Sequence, residues 1–537
     1  AITDATGNTI VGYGSFYRGD SGNANNVVVG YNSMAAADGG GTSNQNIVIG
    51  NGCMNGALNS ANYNTVVGDG AAAAITTGDN NVIVGKGSGA AITTGSSNVS
   101  IGFQALDAAT TAQDNIAIGI AALGALNHVN STNNIAIGHY AGDGIATVDG
   151  NQQNILIGTN CGGGTWGSTA TSNVVAIGNN ALDAAIDGAS GTVAIGASAL
   201  GALTDGQGNT AGGFQSLDAE DAGSYSTAVG YQALSAQNVD GTNGNTALGY
   251  KAGAAFTSSQ ANTIIGYNAA LTHTTGIRNI VIGFGAMDDT DAGSNSLDSE
   301  DNMFIGVDAG GGTWANADSD KNVAIGNYSM DGAMNGADNN TALGYASLGA
   351  LTTGDGNVAV GYTAGNAITT GGSNTAVGNT ALAAMLTGTN NIAVGTLALS
   401  DATAGDHNIA LGYDSMRGAN HADTDFNIAI GSYSLDALST NASTGQIAIG
   451  YEALTALTSG GGNTVVGYQS ADAMTDGYNN VALGNGALGA SVSGQSMVAV
   501  GYGALGDGNI TTAAVGSIGV GYTALAALTS GTANVAI

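Results

Sequence analysis

The sequence predicts an all-β chain: a parallel β-solenoid of about thirty coils, each of roughly 17–20 residues. Three observations predict it. A short unit, Asn-x-(Ala/Val)-(Ile/Val/Leu)-Gly, recurs from one end to the other, as in Asn115-Ile116-Ala117-Ile118-Gly119 and Asn391-Ile392-Ala393-Val394-Gly395. The spacing between its glycines has a floor but no fixed ceiling. Residues at set distances from each glycine hold constant size and polarity. Together these are the signature of a repeat architecture, in which each coil completes the core of its neighbours.

There are 29 complete units, with anchor glycines from Gly12 to Gly521, and Asn534 begins a thirtieth. The step from one anchor to the next is 17 in 14 of 28 intervals, is never shorter, and reaches 23 between Gly283 and Gly306. A minimum with occasional additions means a coil of fixed perimeter with one tolerant loop. The additions fall in the polar stretch before the next Asn, so the loop is there. Residues 1–7 read as a lead-in and 8–537 as one array that stops inside a repeat, at Asn534-Val535-Ala536-Ile537. No initiator Met or signal peptide is present, so the expectation is a segment of a longer or processed polypeptide.

The residue before the anchor is Val, Ile or Leu in 28 of 29 units, Gly212 being the exception. The third residue after it is Ala, Ser or Cys in all 29, and the fourth before it is Asn in 23. Leu, Met, Phe, Gly or Ala follows the small residue, as in Ala122-Leu123 and Ser329-Met330. Several units add another apolar residue three positions on, such as Leu126, Ile368 and Leu457. The apolar triplet before the glycine forms a short strand with alternating faces. The glycine allows a corner closed to other residues, and the Asn bonds to its turn and to its copies up the column. At roughly 4.8 Å per coil, thirty coils predict a rod on the order of 140 Å long.

The residue two before the anchor is apolar in 27 of 29 units, Ser100 and Gly519 excepted. It lies on the opposite strand face from the Val, Ile or Leu before the anchor. Both faces of the strand are therefore apolar, the pattern of a strand buried on both sides. The expectation is that chains pack along their length, as a homotrimer.

Composition narrows the function. Of 537 residues 92 are Gly and none is Pro; 43% are apolar and only 8% charged, against the low-hydropathy, high-charge profile of disorder. Thirty-eight acids face six bases, Arg18, Lys86, Lys251, Arg278, Lys321 and Arg417, which are scattered. No basic patch exists for nucleic acid or an anionic membrane surface, and no apolar stretch predicts membrane insertion. The net charge of −32 favours solubility of a long array.

Units such as Asn245-Thr246-Ala247-Leu248-Gly249-Tyr250 and Asn374-Thr375-Ala376-Val377-Gly378-Asn379 resemble repeats of YadA-type trimeric autotransporter adhesin heads. They resemble phage tail-fibre shafts more closely, because Ala233-Leu234 and Ala453-Leu454 continue that repeat. The resemblance covers almost the whole chain. It implies a trimeric, left-handed β-roll or β-helix, an extracellular place on a virion fibre or bacterial surface, attachment to a host or surface, and no catalysis. The adhesin heads have a shorter coil than this chain. Neither coiled-coil stalk, membrane anchor nor chaperone domain is visible.

Candidate sites follow. Tyrosine directly follows the anchor at 12 of 19 tyrosine positions, including Tyr231, Tyr250, Tyr267, Tyr345 and Tyr362. These predict a stacked stripe, read either as a contact surface for a glycan or other receptor or as a ladder covering the corner. Trp166 and Trp314 lie in matching Gly-Gly-Gly-Thr-Trp loops, as paired contact points or as lids over small residues. Asp288, Asp289, Asp291, Asp298, Glu300 and Asp301 crowd the longest interval and could hold calcium through oxygen ligands; a solvated acidic loop is the alternative. No other cofactor is expected. Cys53 and Cys161 occupy the small-residue position, six coils apart, and read as buried free thiols. His128, His139, His273, His407 and His421 show no metal spacing and read as loop or surface residues.

Two Gly-x-Gly-x-x-Gly segments, Gly484–Gly489 and Gly501–Gly506, come from the repeat, and no helix follows to make a dinucleotide site. The function expected is a structural and adhesive fibre segment. The alternatives are an ice- or mineral-binding solenoid, motivated by Thr76-Thr77, Thr93-Thr94 and Thr369-Thr370, and a polysaccharide-active β-helix enzyme on fold analogy.

Overall fold

A computed structural model describes residues 6–17, 22–37, 40–145, 149–289, 298–314, 317–438, 441–508, 510 and 515–537. The chain divides into two compact units, Ala1–Ile265 and Gly266–Ile537. Each is a parallel β-solenoid, as the repeat predicts, and the described residues contain no α-helix. In the first unit, strands run coil by coil from Thr9–Val11 to Thr263–Ile265; in the second they run from Ile280–Ile282 to Val535–Ala536. Nearly all span only a triplet. Ala359 pairs with Ala376, Ala117 with Ala136, and Val281 with Phe304, although the intervening chain lengthens from the first pair to the last. Insertions are thus absorbed outside the sheet and leave its register unchanged.

The anchor glycine makes the corner after each strand. Its φ lies between 129° and 153°, a region closed to side-chain-bearing residues. Space forbids a side chain as well. A Cβ on Gly119 would lie 2.1 Å from the carbonyl oxygen of Gly138, and one on Gly378 would lie 2.5 Å from that of Gly395. The corner is a place where backbone meets backbone.

Beyond the corner the chain takes two left-handed steps, at the second and fourth residues, even where these carry side chains. Gln104 has φ 53° and Leu106 φ 51°. Such residues cost roughly 1–2 kcal/mol each. Inter-coil hydrogen bonds offset that cost, and they alternate in direction. The Gln104 N–H donates to the Lys86 carbonyl of the preceding coil (3.1 Å), and the Leu106 N–H to the Ala122 carbonyl of the next (3.0 Å).

The strand's middle residue faces inward. Ala117, Ala136, Leu156 and Val281 are fully buried. The small residue three after the anchor and the Leu or Met after it fill the rest, as Ala122 with Leu123 or Ala381 with Leu382. Where that fourth position is glycine, a larger side chain enters three residues later: Ile92 after Gly89, Ile145 after Gly142, Phe256 after Gly253, Ile368 after Gly365. A Cβ on Gly89 would sit 2.9 Å from Cδ1 of Ile92, so the volume is already filled.

The recurring Asn forms the buried polar spine. Asn374 donates its amide to Asn357 Oδ1 (3.1 Å) and to the Gly388 carbonyl (2.7 Å). Its own Oδ1 accepts from the backbone N–H and the amide of Asn391, at 3.0 and 3.1 Å. The amide group is thus satisfied on both sides, which lets a polar column stay buried. Gln446 replaces Asn and still works, taking the Asn427 Oδ1 through its backbone N–H and offering its own Oε1 to Asn463. At Ser226 the column is bridged from the side. The Gln237 amide donates to Ser226 Oγ (3.0 Å) and to buried Glu220 (2.7 Å), and Gln237 Oε1 accepts from Asn245 (2.9 Å).

Replacing Asn391 by Val leaves Asn374 Oδ1 without its amide donor and the backbone N–H and amide of Asn408 without their acceptor. We expect a destabilisation of about 1–3 kcal/mol, and a smaller loss for Asn391→Gln. Chemical denaturation, with hydrogen exchange at the flanking coils, measures both; equal losses would contradict the ladder's role. Gly378→Ala should cost more than about 1 kcal/mol in the same assay, because its φ is positive and its space is taken.

Candidate functional site

The coil repeats its side chains in rows, and these rows are the candidate sites. The first is the outward face of the sheet. Strand residues one and three positions before the anchor point away from the core. All 58 of these positions in the 29 coils lack a charge, and the outer one of each pair is Val, Ile or Thr in every coil except at Met303. Leu248, Leu343 and Ile195 are 49%, 47% and 45% exposed. The Val, Ile or Leu before the glycine, so nearly fixed in sequence, therefore belongs to the surface of the isolated chain. The burial that its apolar character predicts is not supplied within one chain.

The second row is aromatic, just past the corner. Tyr231, Tyr250, Tyr267, Tyr345 and Tyr362 are all exposed, and their rings stack on neighbours. Tyr231 lies 5.3 Å from Phe214 and 5.2 Å from Tyr250. Tyr267 stacks on Phe284 at 5.1 Å and Tyr345 on Tyr362 at 5.4 Å. Lys251 places Nζ 5.7 Å above the Tyr250 ring. The corner presents one residue every coil, so aromatic residues there fall in register at the coil spacing.

Trp166 and Trp314 correct the expectation of surface contact. Trp166 is buried and Trp314 is wholly so. In both coils the fourth residue after the anchor is glycine, Gly162 or Gly310, where a Cβ would lie 3.0 Å from Leu156 Cδ2 or 2.8 Å from Phe304 Cδ1, so the large inward strand residue of the same coil takes that space. Each indole N–H donates to the carbonyl of that glycine at 3.0 Å. Trp314 also meets Phe304 edge-on at 5.7 Å. They are lids over small residues, held by the rule that a buried indole N–H needs a partner.

Among the described residues, the acids of the longest interval are spread over separate partners. Asp291 lies outside the described residues. Asp289 accepts from Thr313 Oγ1 at 2.6 Å. Arg278 holds Asp301 with two bonds, 2.6 and 2.9 Å, and Glu300 at 2.9 Å. Its guanidinium, through those hydrogen bonds, keeps the Asp301 carboxyl below the usual range. Asp298 accepts from Thr275 Oγ1. Asp288 sits apart, on the column described next. Among the described residues no three His, Cys, Asp or Glu side chains converge to hold a metal ion.

The fifth residue after the anchor forms an acidic column the sequence reading missed. Asp107, Asp143, Asp183 and Asp218 occupy it in alternate coils, with Gly124, Gly163 and Gly201 between them. Burial raises the pKa of all four. The same column in the second unit holds Asp288, Gly311 and Asp331, with Asp308 close by. Burial, then the charges of Asp308 and Asp288, push the Asp331 carboxyl up to about 6. The signal was available as an Asp–Gly alternation at double the coil period.

Cys53 and Cys161 are buried free thiols, and burial pushes Cys161 up to about 12. His273 departs from the loop-or-surface expectation. It is fully buried, and desolvation lowers its imidazole to about 4, so it is neutral at pH 7. Thr76 and Thr93 turn their hydroxyls to the carbonyls of Thr93 and Thr110, which engages them in coil stacking. No described helix is long and apolar enough to cross a membrane. No family model and no curated protein matches the chain.

Trp314→Ala should destabilise the second unit by about 3–5 kcal/mol, whereas Tyr362→Ala should cost under about 1 kcal/mol. Thermal and urea unfolding compare them, and equal effects would remove the distinction between lid and ladder. Asp331 gives a pH signature. Its folded pKa is raised, so its contribution to stability is full below about pH 4 and is lost as pH rises toward 6. Asp331→Asn should therefore raise the unfolding midpoint at pH 7 and flatten that part of the pH profile; an unchanged profile would contradict the shift.

Proposed function

We propose that this chain is a structural and adhesive fibre segment in which copies pack along their outward sheet faces, as a homotrimer. The tail-fibre and YadA-type resemblance of its repeats fits an extracellular shaft or head, on a virion or a bacterial surface, that projects and makes contact. The carrying observation is the pair of uncharged, mostly aliphatic rows that a single chain leaves partly exposed. Each chain bears a net charge of −32, yet none of it falls on those rows. Like-charged copies meet with least repulsion through a face free of charge. A second copy also matches that face in period, because its rows repeat at the same coil spacing. Exposed contiguous apolar strips of this kind mark interaction surfaces. The aromatic ladder past the corner stays outside that contact and supplies the adhesive part.

Light scattering on the full chain should give three times the 51.7 kDa chain mass. Ile392→Glu with Val394→Glu, on the outward face, should shift the population toward monomer while leaving the circular dichroism spectrum unchanged. A monomeric wild-type chain would overturn the reading.

A further inference from the structure

The second and fifth residues after the anchor are the outward side chains of the face beyond the corner. In 29 coils both are glycine in only two, and those two are adjacent: Gly486 with Gly489, and Gly503 with Gly506. Here that face lacks its side chains for two coils running, and the surface opens into a notch of about 320 Å³. Gln469 and Asp472 of the preceding coil bound one end; Asp507 and Thr523 bound the other. Asn485 and Tyr502 complete the lining.

The glycine floor has no N–H to offer. Gly486 and Gly503 donate to the carbonyls of Tyr468 and Asn485, and Gly489 and Gly506 to those of Gly486 and Gly503. Recognition therefore falls to the walls. Two carboxylates accept hydrogen bonds, two amides and a phenol both donate and accept, and no Lys or Arg occurs after Arg417 to attract an anion. Tyr502 is 56% exposed and stacked on Tyr522 at 5.3 Å, a fixed aromatic surface at the rim. These walls disfavour an anion; adjacent hydroxyls satisfy the carboxylates and amides, and an apolar sugar face meets the ring. The volume lies at the small end of the ligand-pocket range of about 300–1,000 Å³.

We propose that the notch binds one neutral hexopyranose unit of a glycan. This rests on the adhesive part of the proposed function and deepens it by giving that contact an address. The sheet rows proposed to join copies lie before the corner, so the notch stays open in the fibre.

The test is saturation-transfer NMR on the full chain with methyl glucoside, galactoside, mannoside and N-acetylglucosaminide, and with methyl glucuronide as the anionic control. The comparison is Gly486→Gln/Gly503→Gln. Gln already occupies this column at Gln104 and Gln469 with φ 53° and 46°, close to the 63° and 56° of these glycines. A Cβ on Gly486 meets nothing within 4 Å, so the coil accepts the filling. Asp472→Asn/Asp507→Asn is the second variant, and it leaves the backbone alone. We expect saturable binding of at least one neutral hexoside, no glucuronide binding, and a loss of about tenfold or more in both variants. The proposal is overturned if no neutral hexoside binds, or if a folded variant binds as the wild type does. Attachment of the same proteins to cells separates the two readings. Attachment without hexoside binding sinks the notch alone, and a folded trimer that attaches to nothing sinks the adhesive reading.

Discussion

Backbone contact at the glycine corner is the constraint on which the rest depends. Along each unit an anchor glycine brings its Cα against the carbonyl of the next anchor, close enough that a Cβ would overlap it. That contact fixes how far one coil sits from the next, and so fixes the spacing of every column. The Asn amides reach their neighbours at 3.1 Å because the corner puts them one coil apart. The Tyr rings stack at 5.2 and 5.4 Å for the same reason. A single widened corner would disturb the polar spine, the core and the aromatic row together.

Within that frame the core is filled coil by coil rather than to a common recipe. Gly at the fourth position is matched by Ile, Phe or Trp three or four residues on. Trp166 and Trp314 are the extreme cases, with Gly162 and Gly310 beneath them. Adjacent coils fill that volume jointly, as a Cβ on Gly142 would lie 2.8 Å from Leu156 of the next coil and 2.9 Å from Leu123 of the preceding one, while insertions stay outside the sheet. This is how coils of unequal length coexist with an unbroken register.

Chemistry divides by face. The outward sheet rows carry mostly aliphatic side chains and no charge, which suits them to a partner of the same period. The face beyond the corner carries the Asp column, the aromatic ladder and, at two coils, bare glycine. Acids sit there at the expense of partial burial, and Asp331 with Asp308 and Asp288 shows how crowding adds to it.

The sequence by itself determined the coil, its anchor, its Asn spine and its insert-tolerant loop, because each rests on a local rule of backbone or hydrogen bonding repeated 29 times. Repetition exposed those positions, and Cys53 and Cys161 could be placed in the core by column alone. Which strand face points inward was decided only by the tertiary structure. Both faces are apolar, so alternation says that they differ but not which one the coil encloses; the small inward residue, often Ala, is what the narrow interior admits. The same holds for the tryptophans and for His273, whose burial depends on the volume left by neighbouring coils. The glycine notch is the intermediate case. Its glycines were plain in the sequence as two Gly-x-Gly-x-x-Gly segments, but only the stacking of coils shows that their missing side chains fall side by side on one face.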